Sequence, residues 1–347
     1  MAKQLIILVH GMGTHPKGEM EKAFKQGLTD RAEGFAVDVK EKLKSVDYVE
    51  FNYSDFFDAI RNQFAENAQA RKTGFSFLTG KGFEVSLLKQ LTSFEANMGK
   101  DEFFYTHMLD VILYSTTYFG EKIRVDFLSL FEAKRLKYGH KNIHIICHSL
   151  GTAVVHDALS KYYRVESDPY DDIPDLKPGN FNIASLWTFA NVSRMVNLLN
   201  GQSDPMSSTV CTGAEGCARN LINISHKYDP FTWFKQYDRK MKDGVTLESS
   251  LIRNVNTHDF YEYITEPKVA RALMRFIYGV NVTEDQNALC VEAYKKKTLK
   301  GEVKALRDMI KKLRDDPSIS EIKKAIAQYK KLQSEIERIS AELGGND

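Results

Sequence analysis

The sequence predicts an α/β protein: a mostly parallel sheet flanked by helices, with a helical insertion and a C-terminal helical hairpin. Two patterns lead to it. Leu5–Val9, Ile143–Cys147 and Leu221–Ile224 are short, nearly all apolar runs, each followed by small or turn-forming residues. Such runs suit strands buried on both faces, as in a parallel sheet. Helical patterns separate them, as in Met20–Leu43 and Gly151–Tyr163, and alternation of strand with helix calls for right-handed crossovers. Two weaker runs, Tyr48–Tyr53 and Ala184–Ala190, fit the same template. In sheets of this kind the reactive residues gather at the carboxyl ends of the strands.

A chain of 347 residues suffices for one large domain with additions. Its hydrophobic content of 43% and charged content of 27% are ordinary for a globular protein. A net charge of +2, with basic and acidic residues interleaved, speaks against a nucleic-acid partner. The apolar run Leu5–Val9 is too short for a secretory leader and is followed at once by His10, Gly11, Met12 and Gly13. No stretch approaches the roughly 18 apolar residues that span a bilayer. Cys147, Cys211, Cys217 and Cys290 are too scattered for a disulfide framework, although Cys211 and Cys217 could pair across a loop. The chain reads as cytoplasmic.

Residues 1–282 form the expected α/β domain and residues 283–347 a separate C-terminal piece. Within the first, residues 55–138 carry an insertion rich in phenylalanine, among them Phe56, Phe57, Phe64, Phe75, Phe77 and Phe83. Asp55–Lys100 is read as a cover over one end of the sheet, serving as a packed helical layer or as a lid over substrate. Met108–Lys134 looks like one long amphipathic helix returning to the sheet. Asp168–Phe181 and Asn200–Asn220 read as loops. Near the end, Val303, Leu306, Ile310 and Leu313 are followed by a Pro317 turn and by Ile322, Ile326, Tyr329, Leu332 and Ile336. This is a helical hairpin with a coiled-coil-like seam, which packs on itself, on the domain or on a second copy as a homodimer.

The strongest chemical signal is Ile143–Cys147, then His148, Ser149, Leu150 and Gly151, opening an apolar helix. A tight turn at a strand–helix junction lifts a serine hydroxyl clear of the sheet, near a helix N-terminus that favours negative charge. Small residues are needed two before and two after the serine, and Cys147 and Gly151 meet that need. In isolation, a serine that merely caps a helix would look the same. The second signal is the strand Leu5–Val9 ending in His10, Gly11, Met12 and Gly13, where the glycines could equally mark an ordinary turn.

Together these segments resemble the nucleophile elbow and the oxyanion strand of α/β hydrolases of the lipase and esterase type, with Cys147 at the first glycine of G-x-S-x-G. The likeness covers Leu5 to about Tyr263, leaving out the phenylalanine-rich insertion and the hairpin. It implies Ser149 as nucleophile, with the backbone amides of Leu150 and Met12 (Gly11 as alternative) holding an oxyanion. The base and its orienting acid should follow in the order acid, then histidine. His156 lies too far along the helix and His226 sits at a strand end, so His258, in a late loop, is the expected base. Asp229, held by Pro230 after the strand Leu221–Ile224, is the acid by the same resemblance; Asp259 is read as solvated or a helix cap.

His10 and His15 find no carboxylate or cysteine cluster for a metal, His148 is read as packing, and Trp187 and Phe189 as core. The Lys295–Lys297 run reads as a solvated helix face. The resemblance implies no cofactor. It implies a small-molecule or lipid ester as substrate, since an apolar cover suits an acyl chain, and such a layer suits transient contact with a membrane surface. Thioesterases and acyltransferases use the same constellation, and a non-catalytic scaffold working through the hairpin is the rival from another class.

Overall fold

The computed structural model describes residues 3–66, 110–163 (112 and 116 excepted), 182–251 (233 and 234 excepted) and 256–296. Most of the phenylalanine-rich insertion (67–109), the expected loop Asp168–Phe181 and the C-terminal hairpin lie outside the described residues.

Six parallel strands make one sheet in the order β2-β1-β3-β4-β5-β6. They are β1 (Leu5–Val9), β2 (Asp47–Phe51), β3 (Ile143–His148), β4 (Ser185–Phe189), β5 (Leu221–His226) and β6 (Gly244–Ser249). Helices among the described residues include α1 (Glu19–Gly34), α2 (Lys40–Lys44), α3 (Ser54–Glu66), α4 (Thr117–Tyr138), α5 (Leu150–Tyr162), α6 (Ser193–Asn200), α7 (Phe260–Thr265), α8 (Pro267–Tyr278) and α9 (Glu284–Lys296).

The apolar runs are continuous because both faces of the sheet are covered. Leu5, Ile7 and Val9 enter one core with Phe127 of α4 and Val154 of α5, while Ile6 and Leu8 enter the other with Phe24 of α1 and Leu273 of α8. Alternate residues of one strand thus reach opposite cores, as the two-residue period requires. Trp187 and Phe189 lie in the second core. The edge strand β6, in contrast, is largely exposed. It shows no apolar run and so leaves no strand signal in the sequence.

Two helical expectations are corrected. Met20–Leu43 is broken into α1 and α2, because the chain turns inward at Phe35 with Ala36 at φ 54°. The Val37 N–H closes that turn on the Ala32 carbonyl (3.0 Å), and Asp38 Oδ1 accepts the Lys40 N–H (2.9 Å) to begin α2. Met108–Lys134 is likewise not one helix: α4 starts only at Thr117 and continues to Tyr138. Gly120 crosses so close to the Tyr114 carbonyl that a Cβ there would lie 2.1 Å from it, so the two segments meet at an angle that only glycine permits.

Beyond β6, α7 packs on α1, where Gly27 leaves room for Ile264; a Cβ at Gly27 would stand 2.7 Å from that side chain. α8 begins with Glu266 accepting the Lys268 and Val269 N–H groups (2.8 and 3.1 Å), with Pro267 at its first turn, and ends at Gly279 in the left-handed region. α9 continues the same body: Cys290 joins the second core and Arg31 of α1 lies 4.7 Å from the Tyr294 ring. All four cysteines are free thiols, Cys211 and Cys217 included. Among the described residues no helix is long and apolar enough to cross a membrane.

Candidate active site

The residues singled out in the sequence converge at the carboxyl edge of β1, β3 and β5. Ser149 follows β3 immediately and adopts φ 53°, ψ −125°, a conformation that a non-glycine residue holds only when its surroundings enforce it. Four hydrogen bonds enforce it here. The Ser149 N–H donates to the Phe189 carbonyl at the end of β4 (2.9 Å). The Thr152 N–H and its hydroxyl both donate to the Ser149 carbonyl (2.9 and 2.6 Å). The Thr152 hydroxyl oxygen then accepts the Val192 N–H (3.1 Å), tying the turn to the loop after β4.

Gly151 is required by approach of backbones, since a Cβ at that position would lie 2.4 Å from the His10 carbonyl oxygen and 2.6 Å from that of Val9. Only a bare Cα lets α5 pass over the end of β1. Gly11 is similarly confined: a Cβ there would stand 2.8 Å from Ser149 Cβ and 3.4 Å from its Oγ. Cys147 is fully buried, with its thiol donating to the Trp187 carbonyl (3.4 Å); burial pushes that thiol well above its ordinary range and leaves it un-ionised.

The Ser149 hydroxyl lies 2.8 Å from His258 Nε2, and His258 Nδ1 lies 2.7 Å from Asp229 Oδ2. With Nδ1–H donating to the carboxylate, Nε2 is left to accept the serine proton, which fixes the tautomer. Asp229 has no exposed surface, and each of its carboxylate oxygens is engaged. Oδ1 accepts the Phe231 N–H (3.0 Å) at the start of the short 3-10 turn Pro230–Thr232. Oδ2 accepts a second donor besides the imidazole, the Tyr263 hydroxyl (2.7 Å). The backbone of His258 is held as well: the His148 Nε2–H donates to its carbonyl (2.8 Å), and its own N–H donates to Asn256 Oδ1 (3.1 Å). The Thr257 hydroxyl donates to the Tyr228 carbonyl (2.9 Å), linking the histidine loop to the aspartate loop.

Tyr263 and the positioning contact of His148 are not foreseen in the sequence. The available signal for Tyr263 is a buried tyrosine one helix turn beyond His258, whose hydroxyl must find a partner. The other histidines are occupied elsewhere. His226 donates from Nε2 to the Leu251 carbonyl (3.2 Å) and accepts the Tyr228 N–H at Nδ1 (3.2 Å), and burial lowers its pKa. His156 lies between Asp157 (3.0 Å) and Ser208 (2.8 Å), away from the serine. Asp259 caps α7 by accepting the Tyr261 N–H (3.1 Å), and burial raises its pKa.

Among the described residues the amides of Met12 and Leu150 meet no acceptor. Leu150 is the first residue of α5, so its N–H has no partner within the helix. A hydroxyl aligned on a neutral imidazole, which is itself aligned on a buried carboxylate, can lose its proton as it attacks an electrophile. No family model matches the chain, and no curated protein matches it.

Proposed function

We propose that this chain is a serine hydrolase of the α/β-hydrolase type that cleaves carboxylic esters. The observation that carries the reading is the hydrogen-bonded line Ser149–His258–Asp229, built on a turn in which Ser149 holds φ 53°. Three residues from separate loops, Ser149, Asp229 and His258, have no packing reason to place a hydroxyl, an imidazole and a carboxylate in this order.

In the proposed reaction the Ser149 Oγ–C bond forms as the Oγ proton passes to His258 Nε2 and the carbonyl electron pair moves onto oxygen. Asp229 stabilises the imidazolium, and the Met12 and Leu150 amides hold the oxyanion. Collapse breaks the ester C–O bond, and the departing alkoxide takes the proton from His258. Water then repeats the sequence on the acyl-enzyme, releasing the acid and restoring Ser149. Esters of longer acyl chains are the favoured substrates, an inference that rests on the phenylalanine content of the insertion.

A fluorophosphonate probe tests the reading. The wild-type chain should be labelled, with fluoride leaving phosphorus as the Ser149 Oγ–P bond forms, and Ser149→Ala and His258→Ala should each abolish labelling. A folded wild-type chain that takes no label would overturn the reading and favour a scaffold without chemistry. Esters and thioesters of graded acyl length, assayed on the unlabelled wild-type enzyme, then define the substrate; hydrolysis confined to short acyl groups would remove the lipid preference.

A further inference from the structure

Resting on that reading, we infer that Tyr53 is a positioning residue for the oxyanion: it locks the peptide between Gly11 and Met12 so that the Met12 N–H faces the reacting carbonyl.

The Gly11 carbonyl is held twice. The Tyr53 hydroxyl, just past the end of β2, donates to it (2.8 Å), as does His10 Nδ1–H (2.8 Å). The donor role of Nδ1 follows from its partner, a carbonyl oxygen that can only accept, and it leaves Nε2 to accept the Tyr53 N–H (3.1 Å). Burial keeps this imidazole neutral, lowering its pKa to about 3. The two rings stack with centroids 4.1 Å apart, and the Tyr53 hydroxyl also reaches the His10 carbonyl (2.9 Å). Tyr53 therefore grips the end of β1 through its backbone and its side chain together.

A trans peptide is planar, with its N–H antiparallel to its C=O. Turning the Gly11 carbonyl toward Tyr53 and His10 turns the Met12 N–H the opposite way, from a glycine whose Cα abuts Ser149. The next peptide is clamped as well. His15 Nε2–H donates to the Met12 carbonyl (2.9 Å), and the Gly13 N–H donates to the buried Asp110 carboxylate (2.7 Å). The Met12 N–H thus meets no acceptor among the described residues, and hydrogen bonds hold the peptide groups that flank it. A donor fixed beforehand costs no reorganisation when negative charge develops on the oxygen, which is the condition for strong stabilisation.

Tyr53→Phe removes one grip on the Gly11 carbonyl and keeps the ring. Phe57→Leu serves as the control: it loosens packing beside Tyr53, whose ring it meets edge-on at 5.6 Å, without touching Gly11. Both variants are measured per active site titrated with the fluorophosphonate. In Tyr53→Phe, kcat should fall about tenfold with KM unchanged, less than the roughly hundredfold or greater loss on deleting an oxyanion donor outright. Affinity for a trifluoromethyl ketone analogue of the ester, whose hemiketal places an anion at the same position, should weaken by the same factor. Phe57→Leu should change thermal stability and neither of these. Equal kcat and equal ketone affinity in wild type and Tyr53→Phe would overturn the inference alone. A wild type that neither takes label nor hydrolyses an ester would overturn the hydrolase reading, and this inference with it.

Discussion

Tyr263→Phe isolates one hydrogen bond at the most buried charged group of the site. Asp229 accepts three donors: the Phe231 N–H, His258 Nδ1–H and the Tyr263 hydroxyl. Phenylalanine keeps the ring contacts with Phe189 and His148, both with centroids 6.1 Å away, so the change removes a hydroxyl and little packing. A hydrogen bond to an ionised, buried acceptor contributes about 1.5–3 kcal/mol. Because two donors remain on the carboxylate, the expected loss of stability is near the lower end, about 2 kcal/mol. Urea unfolding of wild type, Tyr263→Phe, Asp229→Asn and the double variant separates this bond from general effects of either change. The coupling energy should exceed about 1 kcal/mol, well above the few tenths that independent sites show. Coupling below about 0.5 kcal/mol would mean that the hydroxyl does not act on the carboxylate and that Tyr263 does not help hold the acid. On the activity side, kcat should decrease with KM unchanged, since Asp229 meets no substrate in the proposed reaction.

Two further outcomes are expected. Gly151→Ala should force α5 away from β1, because its Cβ would otherwise lie 2.4 Å from the His10 carbonyl oxygen. The overpacking should cost about 1–3 kcal/mol and slow probe labelling at least tenfold by about the same relaxation; labelling at the wild-type rate would show that the two backbones can part freely. Stability should also decline as pH falls below about 6.5, because burial lowers the pKa of His10 to about 3 and of His144 to about 4, and lowers that of His226. Below the unfolded value the unfolded chain takes up protons that these folded histidines refuse, at up to about 1.4 kcal/mol per histidine per pH unit. Above pH 7 the contribution is complete and flat. Urea midpoints at pH 7.5 and 5.0 check this, and equal midpoints would contradict neutral burial of the three rings.

What the sequence by itself determined are the features written in adjacent residues. The runs at β1, β3 and β5 are legible because burial on both faces demands apolar side chains without interruption. The turn at Ser149 is legible because a close backbone crossing demands Gly151. Ser149, Asp229 and His258 could be picked out because each sits at a strand end or in a loop of the expected order. β6 escaped because a strand with exposed faces is under no pressure to be apolar. The break between α1 and α2 escaped because Phe35 and Val39 continue an apolar spacing even though the backbone turns between them.

Only the tertiary structure decided which groups hold the reacting ones in place. Tyr263 reaches Asp229 across 34 positions, Tyr53 reaches Gly11 across 42, Asp110 reaches Gly13 across 97 and His148 reaches His258 across 110. A tyrosine hydroxyl or an aspartate leaves the same local trace whether it meets water or a buried carbonyl. Its role is set by the partner that packing of the sheet and its helices delivers, and that partner is distant in sequence.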